Sequence, residues 1–100
     1  MKTTVQELDG KMVAVFDGEL DTIAAAETEA ALKPLFDSSG KDLVLDCTDL
    51  QYIASSGIRI LVNLLKSAKA NGNRVILKNV NEVIRDVLEL TGIVSYFEFE

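Results

Sequence analysis

Hydrophobic and polar residues alternate along the first part of the chain. The segments TVQEL at 4–8 and MVAVF at 12–16 alternate apolar with polar or small side chains, as strands with one buried face do. Between them, Asp9 and Gly10 form a dipeptide that is favoured in two-residue hairpin turns. The chain is therefore predicted to open with an antiparallel β-hairpin, and Asp17 and Gly18 predict a further turn.

The segment 22–36 has the composition of a helix, being rich in Ala, Glu, Leu and Lys. Asp21 or Thr22 is predicted to cap its N-terminus, and Pro34 predicts a kink or break near its end. The apolar residues that are spaced for one helical face are Ile23, Ala26, Ala30 and Leu35.

Two later segments also have the spacing of amphipathic helices. In residues 56–70 the apolar stripe comprises Ile58, Leu61, Val62, Leu65 and Ala68, and Asn71-Gly72-Asn73 predicts the end of the helix. Residues 81–90 form the other helix, whereas 42–47 (DLVLDC) and 75–78 (VILK) are predicted strands and 96–100 (YFEFE) an edge strand. This order predicts an α/β fold: a mixed, mainly parallel sheet with an N-terminal antiparallel hairpin and helices packed against it.

Composition and charge narrow the classes of function. The 100 residues carry a net charge of −6 with no Lys/Arg cluster, which argues against nucleic acid or anionic lipid as the main partner and favours another protein. Histidine is absent, so the usual general base of serine and cysteine hydrolases is missing. With neither a signal-peptide core nor a membrane-spanning run, we expect one cytoplasmic domain over residues 1–100. The single cysteine, Cys47, is interpreted as a small strand residue.

The most informative segment is IASSG at 53–57, where an apolar strand leads into a helix. Serine is a favoured N-cap, so Ser55 or Ser56 is expected to cap the helix. If Ser56 caps, Ser55 lies outside the helix and is available to a partner; if Ser55 caps, Ser56 enters the first turn. Gly57 is expected to leave the backbone uncovered beside them. A phosphate here would meet the positive helix end, with Arg59 one turn further on.

The acidic residues offer a second hypothesis. Five carboxylates lie on the two loops predicted to follow the strands and have the chemistry to bind Mg²⁺: Asp17, Glu19, Asp21, Asp46 and Asp49. Solvated loop and capping carboxylates are the commoner explanation for such residues, so no metal site is predicted. Asp46, near a predicted strand end, could be the phosphoacceptor of an aspartyl-phosphate receiver. No GxGxxG or P-loop pattern is present, and we predict no cofactor.

Four segments together resemble the STAS domain, named after sulfate transporters and anti-sigma factor antagonists: GELD at 18–21, LVLD at 43–46, IASSGI at 53–58 and LELTGI at 88–93. Within that group, the short stand-alone chain resembles the bacterial anti-sigma factor antagonists. The resemblance implies a binding module, not an enzyme, that binds an anti-sigma factor with serine kinase activity and releases its sigma factor. It also implies phosphorylation at Ser55, reversed by a PP2C-like phosphatase. Ala54 stands where the family pattern usually carries Asp.

The resulting hypothesis is a phosphorylation-switched contact surface made of Asp21, Ser55, Ser56, Gly57, Arg59 and Asn63. Ser55, Arg59 and Asn63 recur at four-residue spacing, which places them on one helical face. Two alternatives stay open. One is a STAS scaffold subunit of an ABC-type lipid transporter that works without phosphorylation; the other is the aspartyl-phosphate receiver.

Overall fold

A five-stranded sheet in the order β1-β2-β3-β4-β5 organises the chain, and the computed structural model describes all residues, 1–100. The strands are β1 (Lys2–Leu8), β2 (Lys11–Leu20), β3 (Leu43–Ile53), β4 (Val75–Lys78) and β5 (Glu98–Phe99). Strands β1 and β2 pair antiparallel, and the other neighbours pair parallel. The predicted α/β fold with a mixed, mainly parallel sheet and an N-terminal hairpin is confirmed.

The β1–β2 turn explains how the hairpin forms. Asp9 has φ 53° and Gly10 has φ 77°, so both residues are left-handed, as a type I′ turn requires. This turn matches the right-handed twist of the strands and pairs Leu8 with Lys11.

Four helices connect the strands: α1 (Thr22–Ala31), α2 (Lys33–Phe36), α3 (Ser55–Asn71) and α4 (Glu82–Leu90). The break expected near Pro34 is confirmed, because this proline lies in the first turn of α2, where its missing N–H costs nothing. The expected stop after α3 is also confirmed, since Gly72 ends the helix with φ 71°.

The main core lies between the helices and one face of the sheet. Its largest fully buried side chains come from strands and helices alike: Phe16, Leu20, Leu32, Leu35, Leu43, Leu45, Leu64, Leu77, Ile84 and Leu88. Cys47 is buried in the same cluster. The short apolar strands and the amphipathic helices therefore share one hydrophobic layer, which fixes the ends of β2 and β3 relative to α1 and α3.

Two local predictions are wrong. Asp17 and Gly18 do not form a turn but lie within β2, where the register to β3 shifts and Gly18 takes φ 117°. An irregularity in an otherwise paired strand needs the same glycine-tolerant geometry as a turn, so the two cannot be distinguished from the dipeptide alone.

The predicted buried face of the first helix is wrong at three of its four residues, and only Leu35, which lies in α2, is buried. Ile23 is 91% exposed and Ala26 and Ala30 are exposed, whereas Thr28 and Leu32 are buried. Because this helix is mostly Ala, Glu and Thr, its apolar pattern is weak, and its contacts with α3, β1 and β2 decide which face is buried. In α3 the stripe is shifted in the same way: Ile60 and Leu64 join Leu61 and Ala68 in the core, while Ile58, Val62 and Leu65 are only partly buried.

Candidate functional site

The candidate site lies where the neighbouring strands β2 and β3 end and α1 and α3 begin. Leu20 and Ile53 are paired at the last position of the two parallel strands, and the backbone N–H of Ala54 donates to the carbonyl of Leu20 at 2.9 Å. The residue that follows each strand is the N-cap of a helix: Asp21 for α1 and Ala54 for α3. Two helix N-termini therefore open side by side at the carboxyl edge of the sheet, the usual functional edge of parallel sheets.

The two serines differ in their surroundings. Ser55 is the first residue of α3, its side chain is exposed, and its hydroxyl has no hydrogen-bond partner within the chain. Ser56 is partly buried, and its hydroxyl donates to the Thr22 hydroxyl oxygen at 3.2 Å, linking the starts of α3 and α1. Ser55 is therefore the free hydroxyl of the pair.

Neither serine caps α3, which corrects the expectation from sequence. The N-cap is Ala54, with φ −89° and ψ 172°, and no side chain accepts a hydrogen bond from the first turn. The helix starts there because the hydrogen bond from Ala54 to Leu20 continues the strand pairing up to that residue. The first-turn amides of α3 are thus left open, at the positive end of the helix dipole.

The N-termini of α1 and α4 each have the side-chain cap that α3 lacks. Asp21 has φ −92° and ψ −178°, and its carboxylate accepts from the Ala24 N–H at 2.9 Å. Asn81 has φ −75° and ψ 168°, and its side chain accepts from the Ile84 N–H at 2.8 Å. Ala54 has the same extended backbone but no oxygen to offer. Asp21 is confirmed as the N-cap of α1.

Gly57 lies beneath the site rather than on its surface, so the expectation of uncovered backbone is wrong. It is buried, and a Cβ placed on it would lie 2.7 Å from Leu20 Cγ and 2.8 Å from Ile53 Cγ1. A glycine is required here for the start of α3 to sit directly on the ends of β2 and β3. Its contribution is to hold Ser55 and Ser56 in place.

The remaining predicted residues line the outer face of α3. Ser55, Arg59 and Asn63 are all exposed at successive four-residue steps, as their spacing predicts. Arg59 forms no ion pair with another side chain, so its charge is available one turn after Ser55. This row of polar groups carries a single positive charge on a protein whose net charge is −6.

The exposure of two large apolar side chains close in sequence to the two helix starts was not predicted from the sequence. Ile23 is 91% exposed and follows Thr22, the partner of Ser56. Tyr52, the penultimate residue of β3, is 47% exposed. The signal in the sequence was misleading for Ile23, because an isoleucine at a helical spacing is usually a core residue. Single exposed apolar side chains are common on protein surfaces, and Ile23 is the one whose chain neighbour contacts Ser56.

The acidic residues do not form the alternative site. Strand β3 extends to Ile53, so Asp46 lies within the strand and not at its end, contrary to the receiver hypothesis. Burial raises the pKa of Asp46. Two hydrogen bonds, from the Thr48 hydroxyl at 2.6 Å and the Thr48 N–H at 3.0 Å, together lower it by more, so the pKa of Asp46 is below its ordinary value. No three Asp, Glu or Cys side chains converge on a point where they could hold a metal ion.

No helix of the chain has both the length and the apolar character needed to cross a bilayer. The longest, α3, has 17 residues and carries Arg and Lys side chains.

Comparison with known proteins identifies the family. The family model of the STAS domain matches residues 2–100. BtrV of Bordetella bronchiseptica, which is named as an anti-sigma factor antagonist, is 30% identical over 97 residues, covering 97% of this chain and 84% of its own length. The chain therefore belongs to the STAS domain family.

Solved structures give the same fold. An anti-sigma factor antagonist from Mycobacterium paratuberculosis superposes with a TM-score of 0.82 at 27% identity, covering 98% of this chain and 83% of the other. The Bacillus cell fate determinant SpoIIAA, solved in a phosphorylated form, superposes with a TM-score of 0.75 at 20% identity, covering 99% and 91%. The two more similar of these proteins, from Bordetella bronchiseptica and Mycobacterium paratuberculosis, are both named as anti-sigma factor antagonists.

Proposed function

We propose that this chain is an anti-sigma factor antagonist, a binding module that engages an anti-sigma factor with serine kinase activity and so releases a sigma factor. The names of its relatives support the class of function. Such a protein would work in the cytoplasm, by binding rather than by catalysis, and a PP2C-like phosphatase would reverse its modification.

The contact surface in this proposal centres on the exposed row of Ser55, Arg59 and Asn63, bordered by Asp21 and Ser56. Gly57 supports the surface from below. Ile23 adds an apolar group at the edge, and large side chains that become buried on binding often dominate the affinity of an interface.

The observation that carries the switch is the contrast between the two serines. The hydroxyl of Ser55 is exposed and unbonded, whereas that of Ser56 is engaged with Thr22. A kinase that docks on this surface can reach Ser55 without breaking a hydrogen bond of the fold. The phosphate would sit at an open helix N-terminus with Arg59 one turn away, so the domain tolerates it.

The effect of the phosphate falls on the partner. A charge of about −1.5 to −2 and three oxygens are added at the centre of the proposed contact surface, where bulk and charge mismatch weaken a complex that was formed with a neutral hydroxyl. We therefore expect Ser55→Asp to reduce affinity for the anti-sigma factor by about tenfold or more. The melting temperature should change little, since a carboxylate in the first turn of a helix is favourable.

The test is phosphorylation by the anti-sigma kinase of the source cell with Mg²⁺ and ATP, followed by intact-mass measurement. The wild type and Ser56→Ala should each gain one phosphate, and Ser55→Ala none. Phosphate on Ser55→Ala, or none on the wild type under conditions where the complex forms, contradicts the acceptor assignment.

One observation favours a second candidate function. Ala54 lacks the carboxylate of the usual family pattern, and a STAS scaffold subunit of an ABC-type lipid transporter would need no phosphorylation. Affinity purification from the source cell distinguishes the two: a scaffold subunit recovers a transporter ATPase and no kinase, with or without ATP.

A further inference from the structure

A groove of about 500 Å³ opens along the C-terminal half of α3, away from Ser55. It is bounded by α3, by the turn that leads into β4, and by the chain around 93–98. Since an α-helix rises about 1.5 Å per residue, Leu65 in its wall lies about 15 Å along the axis from Ser55. The groove is thus separate from the contact surface of the proposed function.

The groove exposes apolar side chains to solvent. Ala68 and Val75 are buried at its floor, whereas Val62 and Leu65 of α3 are only partly buried. Tyr96, on the opposite wall, is 71% exposed. Val62 and Leu65 belong to the apolar stripe expected to face the core, so this half of α3 has more apolar surface than the protein covers.

The charges around the groove are unbalanced. Lys66 and Lys69 lie three residues apart on α3, both exposed, and neither forms an ion pair. The one acidic side chain in the lining, Glu98, is already paired with Arg74 at 3.1 Å, and Arg74 also binds Asp42 at 2.7 Å. Two uncompensated positive charges therefore flank an apolar groove on a protein whose net charge is −6.

A lysine near the end of a helix is also favourable without any ligand, because it meets the negative end of the dipole. That effect explains Lys69 but not the uncovered Val62 and Leu65 beside it. We propose that the groove binds a free medium-chain carboxylate, with the alkyl chain against Val62, Leu65 and Tyr96 and the carboxylate at Lys66 and Lys69. Pockets of this volume are typical of small-molecule sites.

The test is an NMR titration of the ¹⁵N-labelled chain with hexanoate, octanoate, decanoate and decyltrimethylammonium. Saturable shifts confined to the groove are expected, and affinity should rise about fourfold for each methylene that becomes buried. The ammonium compound has the same tail with the opposite charge and should bind more weakly than decanoate. Shifts that do not saturate, shifts scattered over the surface, or equal affinity for both head groups overturn the proposal.

Charge variants provide the matched control. The double variant Lys66→Gln, Lys69→Gln should weaken decanoate binding about two- to tenfold, which is the usual effect of losing exposed ion pairs. The control double variant Lys2→Gln, Lys11→Gln removes the same charge from β1 and β2 and should leave decanoate binding unchanged. All four lysines are exposed, so the variants fold, and Leu65→Gln tests the apolar wall independently. Equal losses in both double variants contradict a specific site. Sedimentation with phosphatidylglycerol vesicles, without binding of free decanoate, also contradicts it.

Discussion

Replacing Ala54 with Asp should stabilise the protein, because it would supply the cap that α3 lacks. In α1 and α4 the capping oxygen accepts from the N–H three residues further on. The equivalent donor in α3 belongs to Gly57. The backbone angles of Ala54 match those of Asp21 and Asn81 within about 20° in φ and ψ, so the new carboxylate can reach this N–H in an ordinary rotamer.

The expected gain follows from known capping energies. Exchanging Ala for Asp at an N-cap contributes about 0.5–2 kcal/mol, part of it from the helix dipole. A gain of about 1 kcal/mol raises the melting temperature of a domain of this size by about 4–8 °C. Urea and thermal unfolding followed by circular dichroism measure both quantities, and the slope of free energy against urea should not change.

Two further variants separate the possible causes. Ala54→Asn supplies a capping oxygen without charge, so the difference between Asn and Asp measures the dipole attraction together with repulsion from the neighbouring Asp21. Asp21→Ala removes the corresponding cap from α1 and should cost about 1 kcal/mol. If Asp21→Ala is destabilising while neither substitution at Ala54 raises stability, the idea that α3 has an open N-terminus is wrong.

The pH dependence gives an independent check. A capping carboxylate has a lowered pKa in the folded state, so its contribution is present above about pH 4 and is lost as the pH falls through the folded pKa. The extra stability of Ala54→Asp should therefore disappear in acid, and that of Ala54→Asn should persist. Equal behaviour of the two variants in acid would mean that the gain does not come from a charged cap.

Three other predictions follow from the packing. Gly57→Ala should lower stability by about 1–3 kcal/mol, measured by urea unfolding, because the added Cβ would lie 2.7 Å from Leu20; an unchanged midpoint would mean that the helix start shifts freely. Burial raises the pKa of the Cys47 thiol to about 12, so a thiol reagent at pH 8 should label it at the rate at which the protein opens; fast labelling without denaturant would contradict a closed core. Ile23→Ser should leave stability within about 0.5 kcal/mol yet weaken anti-sigma factor binding about tenfold, whereas Leu90→Ser, 88% exposed on α4, should leave binding unchanged; equal effects would remove Ile23 from the contact surface.

The N-terminal hairpin and the break at Pro34 were predictable from the sequence because their signals are local. Alternation sets the strands of the hairpin, and Asp9-Gly10 determines the turn between them. Pro34 likewise acts locally, because proline disrupts a helix interior but is tolerated in a first turn, and here it lies in the first turn of α2. The buried face of α1 was not predictable in this way. An alanine-rich helix has a weak apolar stripe, and its packing against α3 and strands β1 and β2 left Ile23 in solvent and buried Thr28.

At the site, the exposure of Ser55, Arg59 and Asn63 followed from helical spacing, but the cap did not follow from residue preference. Serine favours the N-cap by about 1 kcal/mol, which is too little to shorten a strand whose pairing extends to Ala54. The depth of Gly57 could not be inferred either, since it depends on Leu20 and Ile53, which come from two separate strands.

Ala54 connects the stability of the domain to the proposed switch. A carboxylate at this position would occupy the N–H of Gly57 and place a negative charge next to Ser55, so a phosphate on Ser55 would meet a helix end that is already neutralised. With alanine, the first-turn amides remain free for the phosphate itself. Phosphorylation of Ser55 is therefore expected to stabilise the wild type more than Ala54→Asp, in which the added carboxylate and the phosphate would repel each other.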